Sequence, residues 1–381
     1  MILTKGQEQG LKIAVERYRH KEPYTVIAGY AGVGKSFLVA HIVEALNINP
    51  RDVCYIAFTG KASLVLREKG CENSMTAHKL LYNSKELPDG TYEHTAKDSL
   101  DCNYKLIVVD EVSMLPIEMW ELLLSHRVHV IALGDPGQLP PIDGSNDVLN
   151  HPHVMLDEVV RQAQDSPIIR LSMDIRAGKW VEYGGPKACR IMSPEQVSDK
   201  LLAGADQVLC GKNITRHQLN ERLRQIKYGE GYTAAPKEGD KVICLKNSWQ
   251  EVGSNDEPLV NGTIGHISNI RLSTRKNQLY KPKMVANFTS DNDGLYEQLH
   301  MDYKIFTEKE ATVNKDNWRQ FPKNKRAYEF DYAYAVTVHK YQGSEAEKVV
   351  VYDEWLGDAE FHKKWLYTAV TRASKMLVVV K

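Results

Sequence analysis

A chain of 381 residues is long enough for two or three domains, each with a core of its own. Its 43% hydrophobic and 26% charged residues exclude a disordered chain. Its 49 basic against 49 acidic residues exclude a protein that grips nucleic acid through one broad basic surface, though not one that uses local basic tracks. The opening MILTKGQEQGLKIAVERY is amphipathic and charged, without the apolar core of a signal peptide, and no later run approaches the roughly eighteen apolar residues of a membrane span. A soluble, intracellular, cytoplasmic protein with no membrane partner is expected. Its six scattered cysteines fit reduced thiols better than a zinc framework or a redox pair.

In chain order, the first apolar run is YTVIAGY, from residue 24. It leads into GYAGVGKS, residues 29–36, and then FLVAHIVEAL, which has helical spacing. Two glycines, a lysine and a serine at this spacing form a phosphate-binding loop, in which backbone N–H groups cradle a polyphosphate. From average residue usage the pattern arises by accident in about one chain in a hundred of this length, and its placement between strand and helix favours nucleotide binding. Gly29, Ala31, Gly32, Val33, Gly34, Lys35, Ser36 and Phe37 are the candidate nucleotide-binding residues. Lys35 reaches the β and γ phosphates, and Ser36 ligates Mg²⁺.

VCYIAF at 53, YKLIVVDE at 104 and HVIALGD at 129 continue the alternation of strand and helix patterns, which predicts an α/β fold with a parallel sheet covered on both faces. Ligands sit beyond the carboxyl ends of such strands, and each of these runs ends in a polar or glycine-bearing segment. Between VCYIAF and YKLIVVDE lies LYNSKELPDGTYEHTAKDSLDCN, with a Pro-Asp-Gly turn signal, either a protruding hairpin or a disordered insertion.

VVDEVSML places two carboxylates directly after a strand. Alone, such a pair is a solvated strand end. With the phosphate loop upstream, Asp110 holds the metal and Glu111 orients or deprotonates the attacking water, giving an NTP hydrolase. LGDPGQLPPI follows the next strand; its Gln138 can accept from the water and donate to the γ-phosphate. Arg161 and Arg372 would ordinarily be surface residues of little consequence, but as arginine fingers they would stabilise the transition state.

The second half repeats the theme without a phosphate loop: a strand in DQVLCG, a helix through TRHQLNERLRQI, then DYAYAVTVHKYQG, KVVVYDE, a helix through LYTAVTRA, and MLVVV. Between about 241 and 327, short alternating segments with turn signals such as NGTIG and SDNDG predict a small β-rich insertion.

Taken together, GYAGVGKS, AFTGKAS, MTAHKLL, VVDEVSML, LGDPGQLPPI, LDEVVRQ, TVHKYQGSE and YTAVTRA resemble, in sequence and order, the motifs of superfamily-one helicases of the RecD and Dda-like branch. The resemblance implies two RecA-like P-loop NTPase lobes: residues 1–170, with a pin hairpin at about 83–103, and residues 171–240 with 328–381. The insertion at 241–327 looks like the small barrel of this branch. It further implies ATP and Mg²⁺ as cofactors, and single-stranded DNA and single-strand to duplex junctions as partners. A monomer moving 5′ to 3′ is expected, with replication or recombination proteins as further partners. Gln7 is assigned to adenine recognition, and Gly343 and Glu345 to the nucleotide site. Thr59, Lys61, Thr76, His78, Thr337 and His339 are assigned to the DNA strand. The pin departs from the pattern in having no obvious aromatic wedge beyond Tyr92. Three alternatives stay open: a translocase that displaces proteins with little unwinding, an RNA helicase, and a binding protein in which nucleotide only sets conformation.

Overall fold

The computed structural model describes residues 3–86, 92–140, 147–160, 165–179, 182–255, 258–272, 284–309 and 327–381. The chain forms two compact units, one of residues 1–83, 95–197 and 341–381, the other of residues 84–94 and 198–340. These bounds are drawn differently from the expected lobes, since the C-terminal segment groups with the phosphate-loop sheet.

In the first unit, helix α1 (Lys5–Arg19) begins at a capping box: the Thr4 hydroxyl accepts from the Gln7 N–H and the Gln7 carboxamide oxygen accepts from the Thr4 N–H. The strands that follow are β1 (Tyr24–Gly29), β2 (Val53–Ala57) and β3 (Ser74–Thr76), then a hairpin of β4 (Tyr82–Glu86) and β5 (Tyr92–Ala96), whose residues 84–94 group with the other unit, then β6 (Leu106–Val109), β7 (His129–Gly134) and β8 (Val154–Leu156). Six of them form one sheet in the order β3-β2-β6-β7-β1-β8, parallel throughout. The hairpin lies in the segment where a pin is expected; its turn, residues 87–91, lies outside the described residues.

Successive strand residues face opposite sides of the sheet. Ile27, Val108 and Ile131 pack with Leu38 and Ile42 of α2 (Lys35–Ala45). Val26, Ile107 and Val109 pack on the other side with Leu80 of α4 (Ala77–Leu81) and Trp120 and Leu123 of α5 (Ile117–Ser125). Covering both faces is what makes these strands continuous apolar runs. Helix α3 (Gly60–Glu68) lies between β2 and β3, and α6 (Pro167–Arg176) precedes β9 (Cys189–Met192).

In the second unit, α7 (Asp199–Ala203), β10 (Gln207–Cys210) and α8 (Asn213–Tyr228) precede the β-rich segment. That segment holds β11 (Lys241–Cys244), β12 (Ser248–Val252), β13 (Pro258–Leu259), β14 (Ile264–Leu272), β15 (Met284–Ser290), β16 (Leu295–Met301), α9 (Tyr303–Glu308) and β17 (Phe330–Tyr332). Its antiparallel sheet runs β16-β15-β14-β11-β17, so it recruits a strand beyond the expected bound at 327. Met301 at one edge bridges Tyr328 beside the other, curling the sheet around Phe288, Leu299 and Phe330. Strand β18 (Ala335–Thr337) pairs in parallel with β10, and the carboxamide of Asn220 in α8 bonds both the N–H and the C=O of Ala335.

The chain returns to the first unit as β19 (Ala346–Tyr352), α10 (Ala359–Val370) and β20 (Ala373–Val380), a strand-helix-strand crossover in which β20 lies between β19 and β9, parallel to both. Helix α10 packs on α6. Among the described residues no helix is long and apolar enough to cross a membrane.

Candidate functional site

Strand β1 delivers the chain to a loop in which Gly32 and Gly34 adopt φ of 79° and 77°. A Cβ on Gly34 would also stand 2.6 Å from Gln7 Nε2, so glycine is needed for backbone and space alike. Gln7 Nε2 donates to the Val33 carbonyl at 2.9 Å. The residue assigned to adenine thus serves in this structure as a strut under the loop. Lys35 Nζ folds back to donate to the Gly29 and Tyr30 carbonyls at 2.7 and 3.2 Å. The first-turn N–H groups of α2 have no acceptor within the helix, and its dipole favours an anion at that end. Phe37 turns aside, its ring 4.4 Å from that of His41. The Ala31 N–H is taken by the Tyr367 hydroxyl.

Strand β6 ends in Asp110 and Glu111, which line one cavity with Ser36, Thr59, Gly343 and Arg372. Asp110 Oδ1 accepts the Glu111 N–H at 3.1 Å, and Glu111 itself adopts φ 51°, a left-handed conformation costly for any residue with a Cβ. Arg372 Nη1 lies 3.7 Å from Glu111 Oε1, while Glu111 Oε2 is buried without a hydrogen-bond partner among the described residues. Gly343, at φ 73°, closes over this oxygen: a Cβ there would come within 3.3 Å of it and 3.0 Å of the Ala62 Cβ. Glu345 lines the same cavity.

Burial pushes both carboxyl groups above the usual carboxylate range; Lys35 draws Asp110 back and Arg372 draws Glu111 back. With folded-state values above the unfolded ones, these groups stabilise the ligand-free protein more as pH falls, the gain starting at the raised value and complete below the ordinary one. Asp110→Asn keeps an oxygen for the Glu111 N–H and removes the buried charge. It is therefore expected to raise the melting temperature of the ligand-free protein at neutral pH, and a lowered one in a thermal melt would contradict this account.

The Ser36 hydroxyl and Asp110 carboxylate suit a hard, oxygen-seeking cation. Among the described residues there is no group of three or more His, Cys, Asp or Glu side chains that could hold a metal ion.

The other predicted residues are distributed unevenly. Gln138 sits half-buried on the turn after β7, its N–H bonded to the Asp135 carbonyl, and Arg161 lies outside the described residues. Thr59 lines the cavity and caps α3 by accepting from the Ala62 N–H at 3.2 Å. Lys61 is in α3. Thr76 caps α4, accepting from the Lys79 N–H at 3.2 Å, and His78 packs between the rings of Phe58 and Tyr82. Thr337 is buried at the end of β18; His339 follows in a 3-10 turn, where burial lowers its pKa. Sequence reading missed Asp135, Tyr367 and Thr368. They stand inside segments singled out for Gln138 and Arg372, and the only signal was a carboxylate, a phenol and a hydroxyl among apolar neighbours.

Residues 3–184 match the AAA domain family model and residues 332–380 the UvrD-like helicase C-terminal domain. The chain is similar to the ATP-dependent DNA helicase Dda of Enterobacteria phage T4, at 29% identity over 198 residues that cover 47% of this chain and 43% of that protein. It is also similar to the ATP-dependent RecD2 DNA helicase of Deinococcus radiodurans, at 27% identity over 379 residues, covering 91% of this chain and 45% of that protein. The chain therefore spans less than half the length of these curated relatives. Among solved structures, two coordinating Pif1 helicases at forked double-stranded DNA give a TM-score of 0.56 at 17% identity, over 100% of this chain and 92% of that one. Pif1 from Bacteroides with ADP-AlF3 and single-stranded DNA gives 0.55 at 17%, with the same coverage. This likeness identifies the α/β fold as RecA-like, with the small antiparallel sheets as insertions.

Proposed function

We propose, for a chain that belongs to the RecD, Dda and Pif1 branch of the superfamily-one helicases, that it hydrolyses ATP to move 5′ to 3′ along single-stranded DNA and unwind duplex. One observation carries the chemistry: the buried, unpartnered Oε2 of Glu111 shares a cavity with Ser36 of the phosphate loop, Asp110 and Arg372. Lys35 and the loop N–H groups hold the β and γ phosphates, and the Ser36 hydroxyl and Asp110 carboxylate would hold Mg²⁺. When bound, that ion neutralises charge on the phosphate oxygens. Glu111 orients a water through Oε2 and accepts its proton. Arg372 and, in this reading, Arg161 neutralise the charge that gathers on the γ-phosphate oxygens, while Gln138 senses whether that phosphate is present.

Thr59, Lys61, Thr76, His78, Thr337 and His339 would contact the strand. Few of these are cationic, which suits a motor that must release the backbone at each step and read little sequence. DNA stacking averages roughly 1.4 kcal/mol per step, within reach of one nucleotide-driven conformational change. The reading has the chain acting as a monomer in the cytoplasm beside replication or recombination proteins.

The test is strand separation on duplexes carrying a 5′ or a 3′ single-stranded tail, with ATP turnover followed alongside. The 5′-tailed duplex should open and the 3′-tailed one should not. Lys35→Ala should open neither, with hydrolysis abolished. Wild-type protein whose turnover is negligible and unmoved by single strands would end the motor reading. Turnover and protein displacement without strand separation would convert it to a translocase.

A further inference from the structure

One phenol ties together the phosphate loop, the turn after β7 and helix α10. Tyr367 is 2% exposed; its hydroxyl donates to Asp135 Oδ2 at 2.7 Å and accepts the Ala31 N–H at 2.9 Å. Burial holds its ionisation well above the ordinary phenol range, so it remains a donor. The other Asp135 oxygen accepts the Gly137 N–H at 2.9 Å, and a Cβ on Gly137 would press to 3.0 Å from the Tyr367 ring. One residue along the helix, the Thr368 hydroxyl accepts the Leu139 N–H at 2.9 Å, fixing the far end of the same turn. From the side of α6, the Arg176 guanidinium lies 3.5 Å from the centroid of the Tyr30 ring, next in the loop to Ala31. The loop, the turn and the helix therefore share a buried network in which each polar group has its partner, and such networks hold one geometry.

What α10 carries out of this network is Arg372. Past the helix end, Arg372 Nε donates to the Thr368 carbonyl at 3.1 Å, so the guanidinium is referenced to the residue beside Tyr367. We propose that Tyr367 is a positioning residue for the chemical step, its hydroxyl setting the register of Arg372 against the phosphate loop. The proposal rests on the ATP-hydrolase reading. Misplacement of a transition-state charge by a fraction of an ångström slows chemistry more than it weakens substrate binding, so the loss falls on kcat.

Single-turnover and steady-state ATP hydrolysis of Tyr367→Phe, Arg372→Ala and the double variant test this. The phenylalanine ring fills the same space. Tyr367→Phe should lower kcat roughly tenfold and leave the ATP KM within about twofold. In the Arg372→Ala background the same change should cost nothing more, because the phenol acts through the arginine. Asp135→Asn, which can still accept from the phenol, should retain more turnover than Asp135→Ala; this pair carries the test if Tyr367→Phe does not fold. Losses that multiply in the double variant, or Tyr367→Phe turning over within twofold of wild type, overturn the positioning role and leave the hydrolase reading intact. Absence of hydrolysis by the wild-type protein sinks both.

Discussion

Arg372→Ala is expected to slow ATP turnover roughly a thousandfold while changing ATP affinity little, the signature of a group that meets its partner only in the transition state. Of the five N–H donors of a guanidinium, Nε is spent on the Thr368 carbonyl and weaker contacts at 3.4 Å go to the Ser344 carbonyl and the Thr371 hydroxyl. The side chain is therefore aimed, not saturated. Its separation of 3.7 Å from Glu111 is an ion pair without a hydrogen bond, one that a phosphoryl oxygen can replace. Lysine would not substitute, since a point charge on a flexible stem cannot keep the fork held by Thr368.

The same substitution carries a pH signature. Burial raises the Glu111 carboxyl and Arg372 is the chief influence holding it down. Glu111 must be ionised to take a proton from water, so activity falls as pH drops through its folded value. Removing Arg372 raises that value further, and the acid limb of the turnover profile should move toward neutrality. Stopped-flow phosphate release across pH, with a fluorescent nucleotide to follow affinity, checks both halves. Equal loss of binding and turnover, or an unmoved acid limb, would remove Arg372 from the reaction.

The parts of this site legible in the sequence are those whose chemistry is local. Lys35 and Ser36 follow a strand within one glycine-bearing turn, and Asp110 and Glu111 end another, so spacing alone marks them. The parallel sheet was legible for the same reason, since β1, β2, β6 and β7 are buried on both faces and read as apolar runs. Strands β3 and β8 are three residues long and borrow their order from neighbours, leaving no period to read. The bonds from Tyr367 to Ala31 and Asp135 span more than two hundred residues of chain, and a long-range hydrogen bond imposes no pattern on the residues between. Gln7 illustrates a different limit: its assignment to adenine comes from the family resemblance, and the bond from its carboxamide to the Val33 carbonyl is a contact that only the packing of α1 on the loop reveals. In the second unit, the closing strand β17 lies past residue 327, the expected end of the insertion, because it pairs with β11.

That second unit is pinned by a buried ion pair whose removal should have the largest effect on stability. Arg224 and Asp240 are 1% and 0% exposed. Asp240 accepts from Arg224 Nε and Nη2 at 3.1 and 3.0 Å, from the Lys237 N–H at 2.8 Å, and from the Tyr228 and Tyr334 hydroxyls at 3.0 and 2.8 Å. Arg224 spends further donors on the Thr233 and Ala235 carbonyls at 2.9 and 2.7 Å, with the Tyr332 ring 3.9 Å from its guanidinium carbon. Thus α8, the turn before β11 and the link between β17 and β18 converge on one carboxylate. A pair this well satisfied adds little net stability over an apolar substitute, yet breaking it from one side strands a charge with nowhere to go. Asp240→Ala should destabilise the second unit by about 3–5 kcal/mol, and Asp240→Asn, which keeps an acceptor but loses the charge, by less. In urea, the transition of this unit should move to lower concentration, and hydrogen exchange should accelerate across 213–244 while the phosphate-loop sheet keeps its protection. If Asp240→Ala instead melts with the wild type, the carboxylate is not what holds these elements together, and apolar packing around Phe288 and Phe330 must suffice.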